Sequence, residues 1–283
     1  MSVDGAVTEL VARALAEDLG DGDRTTDATV PADARGTARI VQKEAGVVFG
    51  LDAAAESFRL TRGGDLDALV DEGAWADDVP RDVATISGPA RGLLAGERVA
   101  LNLLGHLSGV ATLTARFVDA ARAEGGTAVI LDTRKTTPLL RSLEKAAVRA
   151  GGGQNHRMGL YDAILIKENH VALAGGLTEA VARARDANPE MPVEVECRDQ
   201  DEVEAALATG ASRLLLDNMD LDGLRAAVTA RDASGSSPVT LEASGGVSLE
   251  TVGAISATGV DFISVGALTH SAPTLDLSML LEG

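Results

Sequence analysis

The chain is predicted to be α/β, with a β/α barrel as its larger, C-terminal part, and three observations carry that expectation. Six short apolar runs recur through the second half: AVILD (128–132), AILIK (163–167), VEVEC (193–197), RLLLD (213–217), VTLEAS (239–244) and DFISVG (261–266). Between most of them lie amphipathic stretches of helical length, such as TPLLRSLEKAAVRAG, LTEAVARARDAN, QDEVEAALATG and LDGLRAAVTA. Alternation of this kind implies parallel strands joined by helical crossovers. The strand runs are also apolar almost throughout, which suits strands covered on both sides. Six of them fit a barrel or a closed-up sheet, with a doubly wound open sheet as the structural alternative.

The first hundred residues lack this rhythm. They give a helix at about 6–19, strands within GTARIVQKEAGVVFG (36–50) and DVATISG (82–88), and a helix at LDAAAESFRL (51–60). The stretch 95–125 then reads as one long helix leading into the first strand of the repeat. A domain boundary is expected near residue 110, with no Pro/Ser linker and therefore close packing on either side.

Small aliphatic side chains must do the packing, because 45% of the 283 residues are apolar but only six are aromatic. No apolar run approaches the roughly 18 residues of a membrane span. The first twenty residues have neither a basic start nor a long apolar core, so a cytoplasmic protein without a secretory signal is expected. The single cysteine, Cys197, excludes an internal disulfide. A net charge of -18 opposes non-specific binding to nucleic acid or to anionic membrane. Such an acidic, lysine-poor composition also fits a salt-rich interior, where screening relieves self-repulsion. Against that background residues 131–170 hold seven Lys and Arg and four Asp and Glu, a local net of +3. Only four lysines exist, Lys43, Lys135, Lys145 and Lys167, and three of them fall in that stretch.

In β/α barrels the working residues follow the C-terminal ends of the strands. Here the first strand runs into Asp132-Thr133-Arg134-Lys135, and the second ends at Lys167, followed by Glu168, Asn169 and His170. The third carries Glu194 and Glu196 on one face, by the period of two. The fourth ends in Asp217-Asn218, the fifth passes through Glu242 into Ser244-Gly245-Gly246, and the sixth ends at Gly266. Arg134, Lys135, His156, Arg157 and Lys167 form a cationic set able to clamp a dicarboxylate, because guanidinium matches carboxylate with two parallel N–H bonds. Glu196 and Asp217 suit Mg²⁺ or sugar hydroxyls, and the turns at 244–246 and 265–266 suit phosphate. A dicarboxylate, a sugar and phosphates together fit transfer of a phosphorylated ribose onto an acidic ring.

Plainer readings stand beside these. Arg134 and Lys135 can cap a strand, His156 can be a satisfied core histidine, and Glu196 can be an ion-pair partner of Lys167. His106 and His170 have no evident partner in the sequence and are taken as structural. Cys197 should point away from Glu196 into packing. The four histidines lack metal-ligand spacing and no CxxC exists, which argues against structural zinc.

The segment DTRKTTPLLRSLEKAAVRAGGGQNHRMGLYDAILIKENH (132–170) closely resembles the signature of quinolinate phosphoribosyltransferases. GDRTT (22–26), ERVALNLLGHLSGVAT (97–112), VEVEC, LLLDNM (214–219), LEASGGV (241–247) and ISVGALTHSAP (263–273) follow in the matching order. The resemblance implies an N-terminal α/β sandwich domain (1–110, completed by the tail 271–283) and a C-terminal incomplete α/β barrel (111–270). It implies a homodimer in which Arg98 arrives from the neighbouring subunit, and substrates quinolinate and 5-phosphoribosyl 1-diphosphate, joined on the route to NAD. Arg134, His156, Arg157 and Lys167 would contact quinolinate, with Lys135 near both substrates, and Thr133 would be a further substrate-binding residue. Glu196 and Asp217 would bind the ribose and its Mg²⁺, and Ser244, Gly245, Gly246 and Gly266 would receive phosphate; no organic cofactor is implied. Lys135, Lys167, Glu196 and Asp217 would carry the catalysis. The alternatives are a paralogous transferase with another acidic ring substrate and a non-catalytic anion-binding protein. This chain departs from the usual family pattern at Leu139, Ala146 and Glu168, where Gly, Tyr and Asp are common.

Overall fold

A computed structural model describes residues 5–235 and 239–282 of the chain. These divide into two compact units, one built from residues up to 115 with 138–152 and 272–282, the other from 116–137 and 153–271. In chain order the first part comprises α1 (Gly5–Leu19), α2 (Arg24–Thr29), β1 (Arg35–Gln42), β2 (Gly46–Val47), α3 (Leu51–Leu60), β3 (Leu66–Ala68), β4 (Trp75–Ala76), β5 (Arg81–Pro89) and α4 (Ala90–Ala123). After β6 (Val129–Leu131) comes α5 (Arg141–Ala150), then β7 (Ile164–Ile166), α6 (Glu168–Ala174), α7 (Leu177–Ala187) and β8 (Val193–Cys197). The remainder is α8 (Gln200–Leu207), β9 (Arg213–Asp217), α9 (Leu221–Ala233), β10 (Thr240–Ser244), α10 (Val252–Ser256), β11 (Phe262–Ser264), α11 (Ala267–His270) and β12 (Leu277–Glu282).

The first unit is built on an antiparallel sheet of order β12-β1-β5-β3, so the C-terminal strand pairs with the first strand. Alternation decides its inner face: Ala38 and Ile40 on β1 lie opposite Ile86 and Ala84 on β5, a large residue facing a small one each time. Helix α3 covers this face with Leu51, Ala54 and Phe58, spaced as a helical stripe requires, and Leu93 and Leu104 of α4 join the same core. Gly109 of α4 is obligatory for steric reasons, since a Cβ there would lie 2.0 Å from the Pro273 carbonyl oxygen. Leu139 has a φ of 69°, in the left-handed region, and its side chain is exposed. The glycine common at that position in the resembling family adopts this backbone without the cost a leucine incurs. Ala146 packs in the buried face of α5, beside the fully buried Glu144 and Lys145.

The second unit holds a six-stranded sheet of order β6-β11-β10-β9-β8-β7, and every pairing is parallel. The strands succeed one another around the sheet and the first pairs with the last. A doubly wound sheet would instead reverse its winding at a switch point. The geometry is therefore an incomplete α/β barrel, open between β6 and β7, where a single parallel bridge joins Leu131 and Gln154. The crossover helix between those two strands, α5, belongs to the first unit. Asp199 and Asp220 cap α8 and α9 by accepting the N–H groups of Glu202 and Gly223, which starts each helix directly after a strand end. Among the described residues no helix is long and apolar enough to cross a membrane.

Candidate active site

Period-two alternation along the barrel strands sorts the side chains. On β8, Val193, Val195 and Cys197 are buried on one face, while Glu194 and Glu196 point the other way. On β9 and β10 the same rule sends Leu215, Asp217, Glu242 and Ser244 inward and Leu214, Leu216, Leu241 and Ala243 outward. The inward set lines a cavity of about 210 Å³ at the C-terminal ends of the strands. Cys197 lies in packing as expected; burial first, and Glu202 second, push its thiol up to about 12, so it is not a ready nucleophile.

Most of the expected site residues meet in that cavity. Thr133, Arg134 and Lys135 enter from the turn after β6, His156 and Arg157 from the segment bridging the barrel gap, and Lys167 from the end of β7. The turn is held by Lys135 N–H donating to Thr133 Oγ1 (3.0 Å) and by Thr269 Oγ1 donating to the Lys135 carbonyl (2.8 Å). Burial, and then the proximity of Arg134, pull the Arg157 guanidinium below its usual value. Two guanidiniums thus repel one another inside one cavity, and an anion placed between them relieves the repulsion. Lys167 pairs with Glu196, whose side chain is only 12% exposed against 48% for the lysine. The ion-pair reading of Glu196 therefore holds, and both partners also face the cavity.

Asp217 accepts a hydrogen bond from the Asn218 side-chain amide at 2.9 Å. Asn218 adopts a left-handed φ of 56° and donates its backbone N–H to the Ser244 carbonyl. Its Oδ1 stands 2.2 Å from where a Cβ on Gly245 would lie, and Gly245 has a φ of 96°, a backbone that favours glycine. Gly245 and Gly246 follow Ser244 on an exposed loop, and Gly266 lies against the Lys135 side chain. Arg98 is exposed on α4 in the first unit and does not line the cavity. The charge count of 131–170 overstates the cationic cluster, because Arg141, Lys145 and Arg149 ride on α5 in the first unit and do not line this cavity. His106 bonds Glu144 at 2.8 Å and His170 accepts the Lys167 N–H at 2.9 Å, so both have structural partners. Glu168 uses its extra length to reach Arg198.

The floor of the cavity was not expected from the sequence as a unit. His156 Nε2 lies 3.0 Å from Glu194 and 3.5 Å from Glu242, and Arg213 binds the other Glu242 oxygen at 3.1 Å while stacking on Phe262. Burial and then the charge of Glu194 raise the Glu242 carboxyl to about 7. Burial opposes charge on the imidazole too, but the hydrogen bond to Glu194 and the charges of Glu242 and Glu194 outweigh it and lift its pKa. Glu242 therefore keeps its proton into the neutral range, whereas the hold on His156 is on its Nε2 proton, because Nδ1 is occupied by the Arg157 N–H. A carboxyl whose folded pKa is raised loses stabilisation as pH climbs from its unfolded value, 4.5, through about 7. Glu242→Gln is therefore expected to gain stability relative to the parent protein between pH 5 and pH 8, by about 1–3 kcal/mol. Urea unfolding at the two pH values measures it; a constant difference would show that Glu242 titrates normally.

An incomplete barrel with guanidiniums, lysines and carboxylates converging at its strand ends is the frame of an enzyme for small anionic substrates. The chain belongs to the quinolinate phosphoribosyl transferase family: residues 23–108 match the model of its N-terminal domain and residues 110–280 that of its C-terminal domain. It is 45% identical over 278 residues to the nicotinate-nucleotide pyrophosphorylase [carboxylating] of Mycobacterium leprae, covering 97% of this chain and 96% of that protein. It is 46% identical over 268 residues to the probable nicotinate-nucleotide pyrophosphorylase [carboxylating] of Synechocystis, covering 94% of this chain and 89% of that protein. The solved nicotinate-nucleotide pyrophosphorylase of Francisella tularensis superposes with a TM-score of 0.93 at 36% identity, covering 100% of this chain and 98% of that one.

Proposed function

We propose that the chain joins quinolinate to 5-phosphoribosyl 1-diphosphate, giving nicotinate mononucleotide, diphosphate and CO₂. The observation that carries this reading is the pairing of Arg134 and Arg157, with Lys135 and Lys167, in one cavity that also holds Glu196 and Asp217. The two guanidiniums and Lys167 hold the pyridine dicarboxylate and orient its ring nitrogen toward C1 of the ribose. Thr133 and His156 complete that subsite, and Lys135 lies between the two substrates. Ser244, Gly245, Gly246 and Gly266 receive phosphate through backbone N–H groups and the serine hydroxyl. Glu196 and Asp217 are oxygen donors at adjacent strand ends, the donor type Mg²⁺ takes, and they would hold the ion together with the ribose hydroxyls. When bound, that ion supplies neutralising charge to the diphosphate.

The ring nitrogen attacks C1 as diphosphate departs, and the positive charge growing at C1 is favoured by the nearby Glu196 carboxylate. The 2-carboxylate then leaves as CO₂, the bonding pair stays on C2 as a carbanion stabilised by the adjacent positive ring nitrogen, and that pair takes up a proton. No organic cofactor is required, because the positive ring nitrogen itself stabilises the carbanion left at C2. The cationic grip cannot tighten on the departing carboxylate without slowing its loss, so its contribution is to binding and orientation. Arg98, exposed on α4, is assigned to the site of a second copy in a homodimer. Quinolinate-dependent release of CO₂ that requires both the phosphoribosyl donor and Mg²⁺ is the expected result. Release without the donor, binding without turnover, or faster turnover of a monocarboxylate ring would overturn the assignment.

A further inference from the structure

Both ring nitrogens of His156 are engaged inside the protein. Nδ1 accepts the backbone N–H of Arg157 at 2.7 Å, so it carries a lone pair and no proton. The neutral ring's proton is then on Nε2, which faces Glu194 at 3.0 Å. Neither nitrogen is left to grip a substrate carboxylate. Nor is Nε2 left to bind a metal ion, although His156, Glu194 and Glu242 bring three ligand-type atoms within 4.8 Å of one another. The cation these carboxylates require is already present, as Arg213 on Glu242.

The same bonds fix the chain on either side of the ring. Asp132, fully buried, accepts the His156 N–H at 2.9 Å and also the side-chain amide of Asn155. The segment 155–157 is thus held from one side by Asp132 and from the other by Glu194, with the imidazole between Glu194 and the Arg157 peptide. Glu194 Oε1 and Glu242 Oε1 are buried without a hydrogen-bond partner, while the other oxygen of Glu194 takes His156 Nε2 and that of Glu242 takes Arg213. We propose that Glu194, backed by Glu242, is a positioning residue for substrate binding: it sets the tautomer and plane of His156, and through the Nδ1···H–N bond it sets the peptide that aims Arg157. His156 accordingly meets the pyridine ring with its carbon edge.

The inference rests on the assignment of Arg157 to quinolinate, and the test separates the two. Glu194→Ala should raise the KM for quinolinate about 10- to 100-fold and leave the donor KM unchanged. Glu194→Gln should restore it, because the amide oxygen still accepts from Nε2–H and its NH₂ can donate to Glu242. Equal effects on both substrates, or a Gln variant as impaired as the Ala variant, would overturn the positioning role. If Arg157→Ala leaves the quinolinate KM unchanged, the assignment of the grip fails instead. Should Glu194→Ala not fold, the ¹⁵N spectrum of the unaltered protein decides: His156 is expected as the Nε2–H form, and a protonated Nδ1 would overturn the proposal.

Discussion

Arg157→Ala is expected to raise the KM for quinolinate about 10- to 150-fold and to leave the KM for the phosphoribosyl donor unchanged. The range follows from the roughly 1.5–3 kcal/mol that a charge-assisted contact contributes. The free protein should not suffer in parallel. Arg157 is held near Arg134 at a cost in mutual repulsion, and the burial that pulls down its pKa is itself unfavourable to the charge. Removing it should therefore hold or raise the melting temperature while binding collapses. Arg157→Lys should recover part of the loss, since a point charge returns but the two-pronged match to carboxylate does not. Steady-state kinetics with each substrate varied in turn, beside a thermal melt, measures all of this. Equal losses for both substrates, or a drop in melting temperature matching the drop in binding, would show that the residue supports the fold and not the substrate.

The barrel was legible because its strands are apolar runs of the length a covered parallel strand needs. VEVEC and RLLLD coincide with β8 and β9 at both ends. The short elements were not legible. The six-residue helix α2, the two-residue strand β4 and the seven-residue helix α6 carry too few residues for a period to show. Closure between β6 and β11 is likewise invisible to a local reading, since it pairs residues more than a hundred positions apart. Among site residues, those just past strand ends were found by position. Glu194 and Glu242 were seen on the right strands but not as partners of His156, because that contact joins three separated segments. The two-residue step back from Glu196 and from Ser244 was the available signal. The cationic run of 131–170 misled in part. Helix α5 carries three of its bases away from the cavity, and Lys145 among them is fully buried. A charge count along the chain cannot distinguish a residue facing a cavity from one on the helix that follows it. The lysine count did better: Lys135 and Lys167 line the cavity, while Lys43 makes an ordinary exposed pair with Asp276.

Asp217→Asn is expected to lower kcat/KM for the phosphoribosyl donor about 10²- to 10³-fold, the loss typical of one preorganised charge-stabilising group. The substitution is gentle on structure. The new side chain keeps its shape, its amide oxygen still accepts from the Asn218 side chain, and the Asn218 backbone bond to Ser244 does not involve position 217 at all. The melting temperature and the KM for quinolinate should therefore stay where they are. What is lost is a negative oxygen pair at the end of β9, on the strand next to that of Glu196, so the Mg²⁺ concentration giving half-maximal rate should rise together with the donor KM. Glu196→Gln differs in an instructive way, because it also releases Lys167 from its ion pair and should disturb both substrates. A protein that merely binds anions would be indifferent to Asp217→Asn, or would bind them better once a repelling carboxylate is gone. Tighter donor binding with unchanged turnover is thus the outcome that would remove Asp217 from the reaction.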